Sequence, residues 1–279
     1  MASQKSVLIT GCSAGGIGSS IAFSFAKRGL SVFATARNAS KIDPKLSALD
    51  NVEVLTLDAT SPSSISAAAQ AVSHRTGGKL DYLVNSAGSG LVCPFLDTDL
   101  QKARELFDVN FWGVLQCIQV FKEQLIAAKG TIVNVSSVSG VAPNPYESIY
   151  NASKAALTHF DSTICLELAP LGVNVVSLIT GMIKSNWYSN SVPQIELPKD
   201  SYYHPVIESI RDGMTKMDNK KKGTNVDVFG ESVVKDVLGG KKGIVWKGAL
   251  SRTVWLASFL PSFVMVCLFL LLHESVGLG

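Results

Sequence analysis

This sequence predicts a single α/β domain, a doubly wound sheet of parallel strands, and three observations carry the prediction. Short β-branched runs alternate with helix-length stretches, which is the rhythm of βαβ units. A glycine-rich turn, Thr10-Gly11-Cys12-Ser13-Ala14-Gly15-Gly16-Ile17-Gly18, links the first run to the first helical stretch, where sheets of this kind meet phosphate groups. Further on, Tyr150 and Lys154 stand one helical turn apart, downstream of Ser137 and the apolar run Thr131-Ile132-Val133-Asn134-Val135.

Strands are expected over 7–10, 32–35, 52–57, 82–84, 131–135 and 173–179, each a short run rich in Val, Ile, Leu or Thr. Helices are expected over 17–28, 63–75 and 150–168, with one long helix over 100–128. Ser61-Pro62 supplies a capping hydroxyl and a proline at the first helical position. Ala128-Lys129-Gly130 ends the long helix and Ala169-Pro170-Leu171-Gly172 the one after it. From 182 to 222 the alternation breaks down in a stretch carrying Trp187, Tyr188, Tyr202 and Tyr203 with Pro193, Pro198 and Pro205. This stretch begins beyond the carboxyl end of the last predicted strand, where ligands of such sheets bind, and is expected to be a lid.

At 279 residues the chain can bury a full core as one domain. A net charge of +3 with only 17% charged residues, and no basic block interleaved with aromatics, argues against nucleic acid as a partner. Lys220-Lys221-Lys222 reads as a solvated loop ahead of Gly223. Five scattered cysteines, without a CxxC or a histidine at ligand spacing, fit a reducing compartment and no metal. Met1 through Lys5 leads straight into Val7-Leu8-Ile9, which is not a secretory leader pattern.

The carboxyl-terminal region differs. The run 254–272 carries no charge, and as a helix rising about 1.5 Å per residue it would reach roughly 28 Å, close to the ~30 Å hydrocarbon layer of a bilayer. Lys241, Lys242, Lys247 and Arg252 precede it, a basic flank that puts the folded domain on the cytosolic side. Pro261 allows a kinked span or a segment that turns back within one leaflet. The expected division is therefore a folded α/β domain over 1–248, with its lid at 182–222, and a membrane-associated segment over 249–279. The endoplasmic reticulum or a lipid droplet is the expected membrane.

Glycines in the first turn let backbone approach a pyrophosphate, while N–H groups at the helix start favour an anion. At the end of the second strand, where a site for NAD usually has a carboxylate for the ribose hydroxyls, the chain has Ala36 followed by Arg37. A guanidinium suits a 2′-phosphate and the missing acid removes a repulsion, so NADPH is the expected cofactor. Asp58, after the third strand, either accepts from the adenine amino group or caps the helix after Thr60.

Residues four apart project from the same helical face, so the Lys154 ammonium would favour the Tyr150 phenolate. A phenol tuned this way can move a proton at neutral pH, and the Ser137 hydroxyl would add a hydrogen bond to the substrate oxygen.

With these residues in hand, the chain resembles the short-chain dehydrogenase/reductase family up to about residue 185. The matching motifs are the glycine turn, Asn85-Ser86-Ala87-Gly88, Asn110 in Val109-Asn110-Phe111, Ser137, Tyr150, Lys154 and Thr180-Gly181-Met182-Ile183-Lys184-Ser185. The resemblance implies a Rossmann-type fold and hydride transfer between nicotinamide C4 and a carbinol carbon. It makes Tyr150 the acid/base, and Lys154 a ribose ligand that lowers the tyrosine pKa. Ser137 would orient the carbonyl, and Asn110 would hold a water of the proton relay. Cofactor contacts are implied for Thr10, Gly11, Ser13, Gly16, Ile17, Gly18, Arg37, Asp58, Asn85, Ala87, Gly88, Asn110, Tyr150, Lys154, Gly181, Ile183 and Ser185. A homo-oligomer through the helices at 100–128 and 150–168 is also implied.

Three positions depart from the family pattern: the doubled Gly15-Gly16 lengthens the turn, Ser86 stands in place of a second asparagine, and Thr180 in place of a proline. A narrower resemblance is to fungal NADPH-dependent 1-acyldihydroxyacetone-phosphate reductases, through the same turn, Thr35-Ala36-Arg37-Asn38 and the apolar tail. The expected activity is NADPH-dependent reduction of a ketone on a lipophilic small molecule. Conversion of 1-acyldihydroxyacetone phosphate to lysophosphatidic acid is its most concrete form. A secondary-metabolism alcohol dehydrogenase or ketoreductase acting on a terpenoid, sterol or polyketide is the second reading, and an idle nucleotide-binding membrane scaffold the third.

Overall fold

The computed structural model describes residues 4–187, 197–211, 223–261, 263, 264 and 267. Its main sheet has seven strands: β1 (Ser6–Ile9), β2 (Ser31–Ala36), β3 (Val52–Thr56), β4 (Tyr82–Asn85), β5 (Thr131–Ser137), β6 (Asn174–Thr180) and β9 (Gly243–Lys247). A separate parallel pair, β7 (Ile183–Lys184) and β8 (Thr224–Asn225), lies within and just after the expected lid. The main sheet runs β3-β2-β1-β4-β5-β6-β9, with every neighbouring pair parallel. Strand order reverses between β1 and β4, and that switch point is where the carboxyl ends of the strands leave a crevice.

Helices cover both faces, which is why the strands read as nearly continuous apolar runs. On one face α1 (Ile17–Ala26) and α7 (Val226–Leu238) lay Ile21, Phe25, Phe229 and Val233 on Val7, Ile9, Val32 and Val176. On the other, α3 (Pro62–Thr76), α5 (Gly113–Ala128) and α6 (Ser148–Leu168) bury Ile65, Val72, Phe121, Leu125 and Ile164 against Leu8, Phe33, Leu83 and Ile132. Each such side chain, fully withdrawn from water, contributes about 1.5–3 kcal/mol. A short helix, α2 (Pro44–Ser47), follows β2.

Local chemistry fixes the ends of the elements. Ser61 accepts from Ser64 N–H at 3.3 Å with Pro62 at the first helical position of α3. The residue that closes α5 in the left-handed region is Lys129, at φ +49. Gly130 serves close packing instead, since a Cβ there would come within 2.6 Å of Leu80 O.

Two elements differ from the sequence expectation. The long helix over 100–128 is interrupted: α4 (Leu100–Phe107) passes into a π-turn at Asp108–Trp112 before α5 begins. Gly113 sits pressed on the loop after β3, where a Cβ would come within 2.8 Å of Ala59 O. The seventh strand, β9, and the helix before it were not anticipated. Their signals are the glycine-bounded Gly243-Ile244-Val245-Trp246 run and the apolar spacing of Phe229, Val233, Val234 and Val237.

Much of the expected lid, 188–196 and 212–222, lies outside the described residues. The part that is described places Leu197, Tyr203, Val206 and Ile210 against Val92 and Tyr146. The expected membrane segment begins as α8 (Ser251–Ala257), but 262, 265–266 and 268–279 lie outside the described residues. Among the described residues no helix is long and apolar enough to cross a membrane, so the spanning helix expected over 254–272 is not found among them.

Candidate active site

The nucleotide end of the crevice is built from backbone. Thr10 Oγ1 accepts from the N–H groups of Ser86 and Ala87, both at 3.0 Å, tying the glycine turn to the segment after β4. Gly11 lies at φ +75, and a Cβ on it would come within 2.8 Å of Ala87 Cα. A Cβ on Gly18 would come within 2.5 Å of Gly11 O. Only hydrogen fits at either place, so nothing bulky stands between an anion and the unpaired N–H groups of Ile17 and Gly18 at the start of α1.

The lengthened turn is absorbed at Gly15, φ +72, while Gly16 caps α1 with its N–H donated to Ser13 O at 3.0 Å. The Gly16 amide is thus spent within the turn. Asn186 lies over Gly15, donating from Nδ2 to Ala14 O at 3.2 Å and from N–H to Gly15 O at 3.4 Å. Cys12 is a core residue whose thiol burial pushes up to about 12.

Arg37 stands exposed just past β2, outside every ion pair found among the described residues. Asp58 is half-buried, and its Oδ1 accepts from Thr60 N–H at 2.9 Å and Thr60 Oγ1 at 2.8 Å. The turn therefore occupies one carboxylate oxygen, while Ser61 caps α3.

The other end of the crevice is built from side chains. Tyr150 is buried in the first turn of α6, its ring centroid 5.2 Å from that of Trp187. Lys154 Nζ donates to Val135 O at 2.8 Å and lies 6.0 Å from the centre of the Tyr150 ring. Ser136 Oγ donates to Lys154 O at 3.2 Å, so the end of β5 is held against the first turns of α6. Ser137 closes β5, buried, with Oγ accepting from Ser139 N–H at 3.1 Å. Burial pushes the Lys154 ammonium down to about 8, with the Asp161 carboxyl acting in the opposite sense.

Asn110, wholly buried in the π-turn, exchanges two 2.9 Å hydrogen bonds with the Ser89 backbone and donates to Ser153 Oγ at 3.1 Å. Its side chain thereby clamps the segment after β4 to α6. π-turns concentrate at such sites because the extra residue re-aims a side chain. Gly88 lies under this clamp: a Cβ there would sit 3.2 Å from Asn110 Oδ1 and 3.7 Å from Lys154 Nζ. Asn85 faces the interior, donating to Asn134 Oδ1 at 2.8 Å.

After β6, Gly181 backs onto the Ala249 carbonyl with no room for a side chain. Ile183 and Ser185 are buried, and Ser185 Oγ accepts from Trp187 N–H at 3.4 Å. Tyr146, at φ +63, and Glu147 enter α6. Burial pushes the Glu147 carboxyl up to about 7, against a hydrogen bond from Asn144, whose Nδ2 also reaches Ser139 Oγ at 3.0 Å. Glu147, Asn134, Asp161, Asn186 and Trp187 were not singled out as site residues from sequence beyond Trp187's place in the lid. Each is isolated from its partners along the chain, and only the fold joins them.

A crevice with a backbone cradle for phosphates at one end and a buried Tyr-Lys pair at the other defines a nucleotide-dependent oxidoreductase of the doubly wound class. The family model described as short chain dehydrogenase matches residues 5–196. The chain belongs to the short-chain dehydrogenase/reductase family. It is 42% identical over 262 residues to the short-chain dehydrogenase PC-15 of Penicillium crustosum, spanning 94% of this chain and 95% of that one. It is 35% identical over 275 residues to the NADPH-dependent 1-acyldihydroxyacetone phosphate reductase of Schizosaccharomyces pombe, spanning 94% and 91%. A short-chain dehydrogenase from Streptomyces avermitilis shares the fold with a TM-score of 0.78 at 24% identity, over 98% of each chain.

Proposed function

We propose that this enzyme reduces a ketone to a secondary alcohol on a lipophilic small molecule, using NADPH. The observation that carries the reading is the buried Tyr150 and Lys154 on one face of α6, packed against the end of β5 where Ser137 sits. The cofactor is NADP(H): the glycine cradle takes its pyrophosphate, and Arg37, exposed where an acid would repel, takes the 2′-phosphate. When bound, it supplies the hydride. Ser137 holds the substrate oxygen, Tyr150 gives it a proton, and the Lys154 charge favours the phenolate left behind. Asn110 keeps Ser89 and Ser153 in place around them.

Two substrate classes follow. Acylated dihydroxyacetone phosphate is suggested by the 35% identical relative and by the exposed Lys184 and Lys199. A neutral terpenoid, sterol or polyketide ketone is favoured by the lid: Arg211 is already paired with Glu208 at 2.6 Å, and the described part of the lid packs through apolar side chains, Tyr203 and Val206 among them, beside Tyr146. Domain limits of 1–248 and 249–279, a lid at 182–222 and a homo-oligomer through the helices at 100–128 and 150–168 belong to the same reading. So does attachment to an endoplasmic reticulum or lipid-droplet membrane, supported by exposed Trp255, Leu256, Phe259 and Leu260 and the uncharged run they begin. NADPH oxidation with 1-acyldihydroxyacetone phosphate against a panel of neutral ketones decides the substrate. Tyr150→Phe should abolish that turnover while leaving NADPH binding in place. Undiminished turnover would remove Tyr150 from its role.

A further inference from the structure

Beyond Lys154 on α6 lies a buried carboxyl, Asp161, that the family motifs above do not include. Asp161 is seven residues beyond Lys154 on α6, two turns along the same helical face, and is 1% exposed. Asn134 Nδ2 donates to Asp161 Oδ1 at 2.5 Å, and the Asn134 amide is oriented for this by Asn85 Nδ2, which donates to Asn134 Oδ1 at 2.8 Å. Ser177, opposite Asn134 in the β5–β6 register, borders the same space. Asp161 Oδ2, Ser177 Oγ and Asn85 Oδ1 are all buried without a hydrogen-bond partner. A carboxyl in such a place is a considerable expense to the fold, since burial disfavours its charge and its second oxygen is unsatisfied. An aliphatic side chain would fill the volume without that cost.

We propose that Asp161 is a positioning residue of the reaction, holding the Lys154 ammonium in its charged form from behind, with Asn134 and Asn85 fixing the carboxylate that does so. The inference rests on the reading of Tyr150 and Lys154 given above. Its logic is electrostatic. Lys154 is taken out of water beside Tyr150, and desolvation works against the ammonium on which the tyrosine depends. The charged group that opposes this is Asp161, and the other titratable side chain beside Lys154 is Tyr150, one turn back on the same helix. The neighbours facing them from β5 and β6 are Asn134, Ser136 and Ser177, none of which titrates. Burial pushes the Asp161 carboxyl up to about 7, with the adjacent Ser177 hydroxyl, the Asn134 amide and the charge of Lys154 acting in the opposite sense. Ionised, it places a negative charge on the face of α6 that carries Lys154, opposing the loss of the ammonium that burial favours.

The test is a direct titration of Lys154 in the full chain labelled with 13C at lysine Cε, the resonance being assigned by its loss in Lys154→Arg. Asp161→Asn should lower the Lys154 midpoint by about one pH unit or more, the size expected when a nearby opposite charge is removed. An unchanged midpoint in folded Asp161→Asn overturns the inference. Should that variant fail to fold, the unmodified enzyme decides: the Lys154 resonance should move in two steps, the first tracking the Asp161 carboxyl, and a single step overturns the inference. Tyr150→Phe separates the two levels. Lost turnover there with an unmoved Lys154 midpoint in Asp161→Asn removes Asp161 alone, whereas undiminished turnover removes the underlying assignment of the tyrosine.

Discussion

The two ends of the crevice are made in opposite ways. Around Thr10, Gly11 and Gly18 the site consists of backbone held so close that one added carbon has nowhere to go. Around Tyr150, Lys154 and Asn110 it consists of buried polar side chains, with the ionisation of Lys154 and Asp161 shifted by burial and by one another. The first end should be sensitive to volume, with charge mattering only where Arg37 stands at its rim. The second should be the reverse.

The largest effect is expected at the side-chain end. Lys154→Met keeps the length and removes the charge, and turnover should fall by roughly 10²- to 10⁴-fold, the range for losing acid-base assistance, with circular dichroism unchanged. Turnover within tenfold would mean that volume, not charge, matters there. Next comes Gly18→Ala, neutral and one carbon larger. Its Cβ would meet Gly11 O at 2.5 Å, so NADPH affinity should fall at least tenfold and the fold should lose about 1–3 kcal/mol. Normal NADPH binding by calorimetry would break the contrast.

Arg37→Asp changes charge without crowding and should weaken NADPH by about one to two orders of magnitude, as a lost charge-assisted pair and a new repulsion require. NADH should be spared, and equal loss for both cofactors would show that Arg37 does not meet the 2′-phosphate. The smallest effect concerns Glu147. Burial raises its folded pKa from 4.5 to about 7, so the folded protein keeps a proton that the unfolded chain releases, and stability falls as pH rises across that window. Asp161 acts with the same sign between 3.8 and about 7. Glu147→Gln should therefore narrow the difference in Tm between pH 5 and pH 7.5, by on the order of 2 kcal/mol or roughly 4–8 °C. An unaltered difference would show that Glu147 is not the group responsible.

What was legible in the sequence follows the same division. Strand and helix periodicity, Ser61-Pro62 and the glycine turn are written in consecutive residues, so β1 through β6 and the cradle were readable in advance. Tyr150, Lys154 and Ser137 were readable because two share a helix turn and the third ends a strand. Their long-range neighbours were not. Asn134 and Asp161 meet only once β5 packs on α6, and Asn186 reaches Ala14 from the segment after β7. Asp58 carried two readings in the sequence, and its bond to Thr60 is the local one. The tail is the opposite case: its composition is plain, but most of it lies outside the described residues.

The π-turn at Asp108–Trp112 has an implication for how this chain can change over time. One surplus residue in a helix cannot be trimmed without rotating everything after it by about 100°. Deleting it would swing Trp112 and the early face of α5 around the axis and pull Asn110 off Ser89 and Ser153. The insertion is thus locked in by the residue it carries. Length variation in relatives should fall in the turns on either side of this helix and not within it, a constraint on descent imposed by a single amide.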